Sequence, residues 1–309
     1  MPRKTPAAAK PSRKRVTPET VLPTLAETVM PVDVLRAAPD AATLRGLIDA
    51  AWAALSPATQ ALWHALTHDQ QGETRFRWHH SFYHFYTEAW YDQRKLHELN
   101  ARLHWEMCRF VEPVLDILAM RKVGPLPPEM QAGIVRATFT SRETRKSSIV
   151  RAFGIWALLH DPSLRILILR SLQRRNVGSF KQITRFFELS QCIREVYPEY
   201  HVTPSIRRTE RLRWGLEDGI ELPVAISYTS QEANFEFAGI DTSATGMHHD
   251  LLILADPVDH INCQTHTGRT RVIDTYRELC SIVPEDAPQI IAGTPRHVND
   301  LYGWLRGIS

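Results

Sequence analysis

The sequence predicts an α/β fold, in which a mainly parallel sheet is flanked by helices on both faces and preceded by an N-terminal helical region. From about residue 133 onwards, short apolar runs alternate with longer segments of helical period, the pattern of a parallel sheet with crossover helices. Two of these runs, residues 250–255 and 289–293, are continuously apolar, as strands buried on both faces are. We therefore expect residues 126–309 to form the α/β core.

The composition is that of a globular protein, since 43% of the 309 residues are hydrophobic and 23% are charged. No apolar run is long enough to span a bilayer, and the basic N-terminus lacks the apolar centre of a signal peptide. The formal net charge of +3 permits a nucleic-acid partner without requiring one. Four cysteines show no pairing pattern, which predicts a reducing, cytoplasmic environment. They are Cys108, Cys192, Cys263 and Cys280.

Two segments are rich in basic residues. Residues 1–20 are predicted to form a basic tail, because they combine six lysines and arginines with several prolines and too little apolar surface for a core. A solvated tail is the preferred interpretation, and a phosphate-binding arm is the alternative. The second group is interpreted mainly as solvated helix surface. Its members are Arg165, Arg170, Arg174, Arg175, Lys181 and Arg185.

Residues 21–125 are predicted to form the helical region. Apolar residues recur at helical spacing from Ala41 to His68, with a break at Ser56 and Pro57. The aromatic segment WHHSFYHFY (78–86) could be a nucleic-acid stacking surface, but a packed aromatic core is the favoured interpretation.

The core elements can be placed in order from their periodicity and their flanking Gly and Pro residues. Short antiparallel strands are expected between residues 211 and 240, and a last helix follows the final strand. The predicted strands are residues 133–140, 165–170, 250–255 and 289–293, and the predicted helices are residues 147–160, 172–196 and 266–281.

The turn SRETRKSS lies between the first predicted strand and its helix, where a phosphate-binding loop would lie. Lys146 and Ser147 match the lysine and hydroxyl positions of G-x-x-x-x-G-K-[ST], whereas Thr140 and Arg145 replace both glycines. Such a loop could still hold phosphate if its backbone is not left-handed. The alternative is a basic surface turn that caps the helix. The predicted ATP-binding residues are Ser141, Arg142, Glu143, Thr144, Arg145, Lys146, Ser147 and Ser148.

Two of the apolar strands end in polar residues that would meet at one edge of the sheet. Asp256 follows the strand at 250–255, and Thr294 follows Gly293 at the end of the other. Ligands bind at this edge in open α/β folds, and phosphate chemistry there requires an acid. The alternatives are a helix-capping acid at Asp256 and a polar turn residue at Thr294.

Three motifs in this order resemble the ATPase half of the large terminase subunit, the DNA-packaging motor of tailed bacteriophages. That family has a glycine-poor phosphate loop with a serine-arginine opening, similar to Ser141 and Arg142 here. Its "D-L-I-I-x-D-D-P-V" resembles DLLILADPV (250–258), and its coupling segment "G-T-R-x-H-x-x-D-L-Y-G" resembles GTPRHVNDLYG (293–303). The resemblance covers roughly residues 97–306 and implies a P-loop NTPase-type fold.

The resemblance also implies roles for individual residues. Lys146 would neutralise charge on the transferred phosphoryl group, and Ser147 with Asp256 would hold Mg²⁺. Asp256 would also orient the attacking water, and Arg142 would stabilise charge in the transition state. Gly293 and Thr294 would couple ATP hydrolysis to DNA movement.

Partners follow from the same resemblance. They are double-stranded DNA, the portal protein and a small terminase subunit, with the chain forming a homo-oligomeric ring in the host cytoplasm, transiently at the procapsid portal. The family's nuclease domain has no counterpart in this sequence, so no nuclease activity is expected.

One departure from the family bears on catalysis, because Ala255 stands where the first of two acids is usual. Asp256 alone would then serve both Mg²⁺ and water, unless Asp241, Asp250 or Asp259 compensates. A non-hydrolysing nucleotide- or DNA-binding module and a helicase-like translocase are therefore kept as alternatives.

Two further patterns, a possible zinc-ligand spacing and a possible adenine contact, have simpler structural explanations. The spacing of His260, Cys263 and His266 could imitate a zinc site, but loop histidines are preferred because a second ligand pair is missing. Trp105 could lie near an adenine, but a core aromatic residue on an amphipathic helix is preferred.

Overall fold

The computed structural model describes residues 32–141, 143–217, 219–224, 233–241 and 248–307. Within these ranges, the chain forms one sheet with helices on both faces. Its strands are β1 (Val135–Phe139), β2 (Ile166–Arg170), β3 (Trp214–Gly215), β4 (Gly219–Ile220), β5 (Phe235–Gly239), β6 (Leu251–Ala255) and β7 (Gln289–Gly293).

The sheet has seven strands in the order β1-β7-β6-β2-β5-β4-β3. The first five strands of that order are parallel, and β4 and β3 are antiparallel at one edge. A mainly parallel α/β sheet is confirmed, and it is compatible with a P-loop-type fold. The carboxyl ends of β1, β7 and β6 lie side by side, with Phe139 opposite Gly293 and Ala255 opposite Ala292.

Helices cover the sheet and continue into the N-terminal part of the chain. The first group is α1 (Val32–Arg36), α2 (Ala41–Ala54), α3 (Pro57–Ala65), α4 (Gly72–His80), α5 (Phe82–His84), α6 (Ala101–Val111), α7 (Val114–Val123) and α8 (Pro128–Gln131). The second group is α9 (Lys146–His160), α10 (Asn176–Leu189), α11 (Gln191–Val196), α12 (Pro204–Thr209), α13 (His266–Ile282) and α14 (Leu301–Leu305). A π-helical turn (Phe85–Trp90) and 3₁₀ turns at Gln93–Glu98, Gln173–Arg175 and Pro198–Tyr200 connect some of these helices.

The central strand β6 is buried on both faces, as its apolar run predicts. Ile253 and Ala255 pack into the hydrophobic core that contains α9, whereas Leu252 and Leu254 pack into the core that contains α13. This alternation follows from the two-residue period of a strand. Helices therefore lie on both faces of the sheet, as predicted.

The aromatic segment at residues 78–86 belongs to the core on the α9 side. Phe82 is fully buried, and its ring lies 5.3 Å from that of Trp156 on α9. The indole N–H of Trp156 donates a 2.6 Å hydrogen bond to the carbonyl oxygen of Trp78. The packed-core interpretation of this segment is confirmed, and the helical region and the sheet share one hydrophobic core.

The predicted break in the first helical segment is confirmed. Ser56 is extended, and its hydroxyl accepts a 3.1 Å hydrogen bond from Thr59 N, which caps α3. Pro57 then occupies the first turn, where the missing N–H costs nothing.

Two predictions between β2 and β5 differ from the structure. The single long helix at residues 172–196 is wrong, because Ser190 is extended (φ −67°, ψ 129°) and separates α10 from α11. The antiparallel pair β3–β4 is confirmed, but β5 pairs in parallel with β2. Among the described residues, no helix is long and apolar enough to cross a membrane.

Candidate functional site at the carboxyl edge of the sheet

The loop between β1 and α9 has a left-handed backbone at Glu143 (φ 69°) and Arg145 (φ 58°). The condition stated above for a glycine-free phosphate loop, a backbone that is not left-handed, is therefore not met at these two residues. The carbonyl oxygen of Arg145 accepts hydrogen bonds from Ser148 N (2.8 Å) and Ile149 N (3.1 Å), which begins the helix. The guanidinium of Arg145 forms an ion pair with Glu98, outside the loop. Arg142 lies outside the described residues.

Lys146 and Ser147 form the first turn of α9 and meet the residue that follows β6. Lys146 is only 5% exposed, and its Nζ donates a 3.1 Å hydrogen bond to the carbonyl oxygen of Ser141. The same nitrogen lies 3.9 Å from Oδ1 of Asp256. The Ser147 hydroxyl donates a 2.5 Å hydrogen bond to Asp256 Oδ2. The structure thus brings together the lysine, the hydroxyl and the acid that the sequence placed on separate elements.

Asp256 takes an unusual backbone conformation for a residue with a side chain. Its φ is 55°, and its N–H donates a 2.8 Å hydrogen bond to the carbonyl oxygen of Ala292 on β7. Non-glycine residues in this region are uncommon and often occur at functional sites. The conformation turns the chain after β6 while the carboxylate stays at the edge of the sheet.

Thr294 is tied to the same loop. Its hydroxyl donates a 3.1 Å hydrogen bond to the carbonyl oxygen of Thr140, and Thr140 N donates to the carbonyl oxygen of Gly293 at 3.3 Å. The hydroxyl of Thr140 lies 2.7 Å from that of Thr144, which in turn donates to Ser141 O at 3.0 Å. The end of β7 is therefore linked by hydrogen bonds to the whole loop after β1.

These residues surround a pocket of about 890 Å³. Seven residues of the predicted site line this pocket, and three others do not. Those that line it are Glu143, Arg145, Lys146, Ser147, Ser148, Asp256 and Thr294, and those that do not are Ser141, Thr144 and Gly293. Eight lysine and arginine side chains face four acidic ones, so the lining is cationic. Six of these cations are absent from the predicted site. They are Lys95, Arg151, Arg170, Arg175, Arg185 and Arg296.

The interpretation of the basic group at 165–185 as solvated helix surface is wrong for Arg170 and Arg175. Arg170 is the last residue of β2 and Arg175 lies in the 3₁₀ turn after it, whereas Arg185 lines the pocket from an exposed position on α10. Arg165 instead forms an ion pair with Asp250 at the opposite end of the strands, with 3.0 Å between Nε and Oδ2. The signal that could have identified Arg170 is its position at the end of an apolar strand, the same signal that identified Asp256.

One wall of the pocket is apolar. Trp90, Phe186 and Leu189 line it, and the rings of Trp90 and Phe186 lie 5.2 Å apart. The indole N–H of Trp90 donates a 3.0 Å hydrogen bond to the hydroxyl of Ser148 on α9. Trp105 lies elsewhere, 7% exposed in a separate core and beside the guanidinium of Arg109, so its core interpretation is confirmed.

The acids that could compensate for Ala255 are engaged in other contacts. Asp259 lines the pocket, but its carboxylate accepts from Ile261 N and Asn262 N and lies 3.1 Å from Arg175. Burial alone would raise the pKa of Asp259, but the hydrogen bonds from these two N–H groups and the charge of Arg175 lower it overall. Asp241 accepts from Gln173 N at 3.1 Å. Asp256 therefore has no equivalent second acid beside it among the described residues.

Groups of His, Cys, Asp and Glu that could hold a metal ion by themselves do not occur in the described part of the chain, including the region of His260, Cys263 and His266. A scan against protein-family models finds no match for this chain. A search of curated proteins finds no match either.

Proposed function

We propose that this chain is an ATP-hydrolysing motor subunit of the terminase type, which translocates double-stranded DNA into a procapsid. The observation that carries the proposal is the meeting of Lys146, Ser147 and Asp256 at the start of a 15-residue helix and the carboxyl edge of a parallel sheet. The N-terminus of a helix presents unpaired N–H groups and a partial positive charge, which favour phosphate.

The shape and charge of the pocket suit a nucleoside triphosphate. Its cationic wall complements a triphosphate chain, and Trp90 and Phe186 on the other wall supply the apolar surface that a purine base packs against. A volume of about 890 Å³ falls within the range of about 300–1,000 Å³ that is usual for ligand pockets. Gln182 on the same wall adds a side chain that can both donate to and accept from a base.

Each residue has a defined part in the proposed reaction. Lys146 neutralises charge on the phosphoryl group that is transferred, and Asp256 orients the attacking water. Arg142, which is not among the described residues, is proposed to stabilise charge in the transition state. Ser147 and Asp256 fit a Mg²⁺ ion, because their hydroxyl and carboxylate oxygens are ligands that this ion prefers. When bound, Mg²⁺ would supply positive charge to the phosphates and would keep several waters as its other ligands.

Coupling to DNA is proposed to run through Thr294. Its hydrogen bond to the loop after β1 means that a shift of the loop on phosphate loss displaces the end of β7. Double-stranded DNA, a portal protein, a small terminase subunit and a ring of identical chains are the partners that the terminase resemblance implies.

The test is DNA-stimulated ATP hydrolysis by the purified chain. We expect Lys146→Ala and Asp256→Ala each to reduce turnover by about a hundredfold or more, the scale for removing a group that stabilises transition-state charge. Lys181→Ala and Asp274→Ala are matched controls, because both residues lie outside this pocket. Turnover that survives both pocket substitutions would overturn the proposal.

A non-hydrolysing binding module is a second candidate, favoured by one observation. Ala255 is fully buried and carries no acid, and Asp256 already accepts a hydrogen bond from Ser147. Two results together would support this candidate over the motor. The unaltered chain would bind ATP without hydrolysing it, and Lys146→Ala would abolish the binding.

A further inference from the structure

Two arginines in the wall of the pocket, one buried and one half-buried, have incomplete sets of partners. Arg151 is 9% exposed and lies one turn after Ser147 on α9, and Arg170 ends β2. Arg151 Nη1 lies 3.5 Å from Ser179 Oγ, and Arg170 Nη1 donates a 2.8 Å hydrogen bond to the carbonyl oxygen of Arg175. The Nε of each arginine, like that of Arg75 in the core, is buried without a hydrogen-bond acceptor among the described residues, so the carboxylate partner is what distinguishes Arg75 from these two.

Another buried arginine shows how this fold neutralises a charge in its interior. Arg75 is 1% exposed and forms an ion pair with Glu199, which also accepts hydrogen bonds from the guanidinium. Although burial would lower the pKa of Arg75, the charge of Glu199 raises it overall. A buried charge that lacks such a pair is costly, because it has lost its water.

Arg151 and Arg170 have no such carboxylate pair in the described part of the chain. Burial, and to a smaller extent the charge of Arg170, together lower the pKa of Arg151 to about 10. Burial also lowers the pKa of Arg170. The charge of Asp256 opposes the lowering of both pKa values, and Asp256 lines the same pocket as the two arginines. Two guanidinium groups of like charge that line one pocket without a carboxylate partner of their own favour an anion from outside the chain.

We propose that Arg151 and Arg170 form an oxyanion subsite for the terminal phosphate of the bound nucleotide, and that this subsite also binds inorganic phosphate. The planar guanidinium presents fixed donors that match tetrahedral oxyanions. The identity of the terminal phosphate rests on the proposed function, whereas binding of inorganic phosphate does not. The two arginines are thus positioned to hold the phosphate released beside Asp256.

The subsite can be tested by thermal unfolding of the full chain with and without inorganic phosphate, with potassium chloride matching the ionic strength. We expect phosphate to raise the Tm of the unaltered chain, and Arg151→Met and Arg170→Met to remove most of that rise. In the absence of phosphate, we expect each variant to melt no lower than the unaltered chain, because an unpaired buried charge has been removed. Arg75→Met is the contrasting variant, since it leaves Glu199 unpaired and should melt lower.

Isothermal titration with inorganic phosphate gives a second measurement. Arg151→Met should weaken phosphate binding about tenfold or more, the scale for losing a charge-assisted hydrogen bond. Arg151→Lys should restore part of it, and Arg194→Met, at an exposed site outside the pocket, should leave it unchanged.

The outcomes separate this subsite from the proposed function. Phosphate binding that is the same in Arg151→Met, Arg170→Met and the unaltered chain would overturn the subsite, even if ATP binds. A Tm of Arg151→Met and Arg170→Met below that of the unaltered chain, as expected for Arg75→Met, would show that the two arginines have a structural role. That result would also overturn the subsite. Phosphate binding that depends on both arginines in a chain that does not bind ATP would support the subsite and contradict the ATPase.

Discussion

The Ser147 hydroxyl donates a 2.5 Å hydrogen bond to Oδ2 of Asp256, and this bond joins the first turn of α9 to the residue after β6. The two residues are 109 positions apart in the chain. Because Ala255 supplies no acid, Asp256 is the carboxylate that contacts the loop hydroxyl. Of the two neighbouring positions 255 and 256, only Asp256 can therefore accept a hydrogen bond through a side-chain carboxylate.

An acid introduced at position 255 should make the free energy of unfolding depend on Mg²⁺. Ala255 is fully buried in the core that contains α9, so an aspartate there would be desolvated. We expect Ala255→Asp to lower the free energy of unfolding by about 2 kcal/mol in EDTA, and Mg²⁺ to recover part of this loss. Urea unfolding with and without Mg²⁺ measures both effects, and turnover should rise. Ala255→Asn is the control of similar size, and an equal response to Mg²⁺ in both variants would contradict the prediction.

The left-handed backbone at Arg145 predicts a difference between two substitutions. Arg145→Gly and Arg145→Ala both remove the ion pair with Glu98, but only glycine adopts φ 58° without crowding of Cβ. We expect the glycine variant to be the more stable by about 1 kcal/mol, the cost of this conformation for a residue with Cβ. Urea unfolding of the pair measures it. A glycine variant that is the less stable would show that the loop takes another conformation in solution.

Gly293 has no space for a side chain. A Cβ placed there would lie 1.8 Å from the hydroxyl oxygen and 2.2 Å from Cζ of Tyr302, which is fully buried. We expect Gly293→Ala to lower the free energy of unfolding by about 3 kcal/mol, as overpacking of a core does at its upper range. Gly178→Ala is the control, because Gly178 lies in α10 with no atom within 4 Å of its Cβ position.

Removal of the Tyr302 ring tests whether a collision with this ring causes the loss of stability in Gly293→Ala. If Gly293→Ala acts by colliding with Tyr302, it should cost less in the Tyr302→Ala background than in the unaltered chain. Tyr302→Phe should give only partial relief, because it removes the hydroxyl oxygen at 1.8 Å but keeps Cζ at 2.2 Å. Equal costs in all three backgrounds would exclude the collision as the cause.

Three histidines make the stability depend on pH. The rings of His79 and His160 stack at 4.1 Å, and His80 lies beside them. Burial lowers the pKa of His79 and His160, and lowers that of His80 to about 4. The unfolded chain, with histidine pKa values near 6.5, therefore binds protons that the folded chain does not, so acid favours unfolding.

The histidine contribution is fully present above about pH 6.5 and is lost as the pH falls towards about 4. We expect a loss of about 1–3 kcal/mol across this window, measured by urea unfolding at several pH values. His80→Asn should reduce the slope, because its amide can replace Nδ1 in the 2.8 Å hydrogen bond to Phe76 O but does not titrate. An unchanged slope in this variant would contradict the assignment to His80.

The sequence was sufficient to predict that Lys146, Ser147 and Asp256 would meet, because the carboxyl ends of buried parallel strands share an edge. Arg170 obeys the same rule, but its spacing from the neighbouring cations favours a helix surface, so the sequence pattern does not place it in the pocket. Charge spacing alone does not distinguish a strand end from a helix face.

Backbone conformation at single residues was less predictable. Ser190 interrupts the helix at 172–196 without a glycine or proline, and the helical spacing of apolar residues continues across it. Arg145 is left-handed although its side chain disfavours this, because the surrounding loop determines its conformation. Such features depend on tertiary contacts, which a local pattern does not contain.

The hydrogen bond from Trp156 to Trp78 and the packing of Phe82 against α9 have a consequence for how the chain melts. Helices before residue 126 and strands after it exclude water from the same apolar surface, so neither part can lose its structure without exposing the other. Heating should therefore produce one cooperative heat-absorption peak, with calorimetric and van't Hoff enthalpies that agree. A fragment that begins at residue 126 would expose the part of this core that Phe82 and the other N-terminal residues cover.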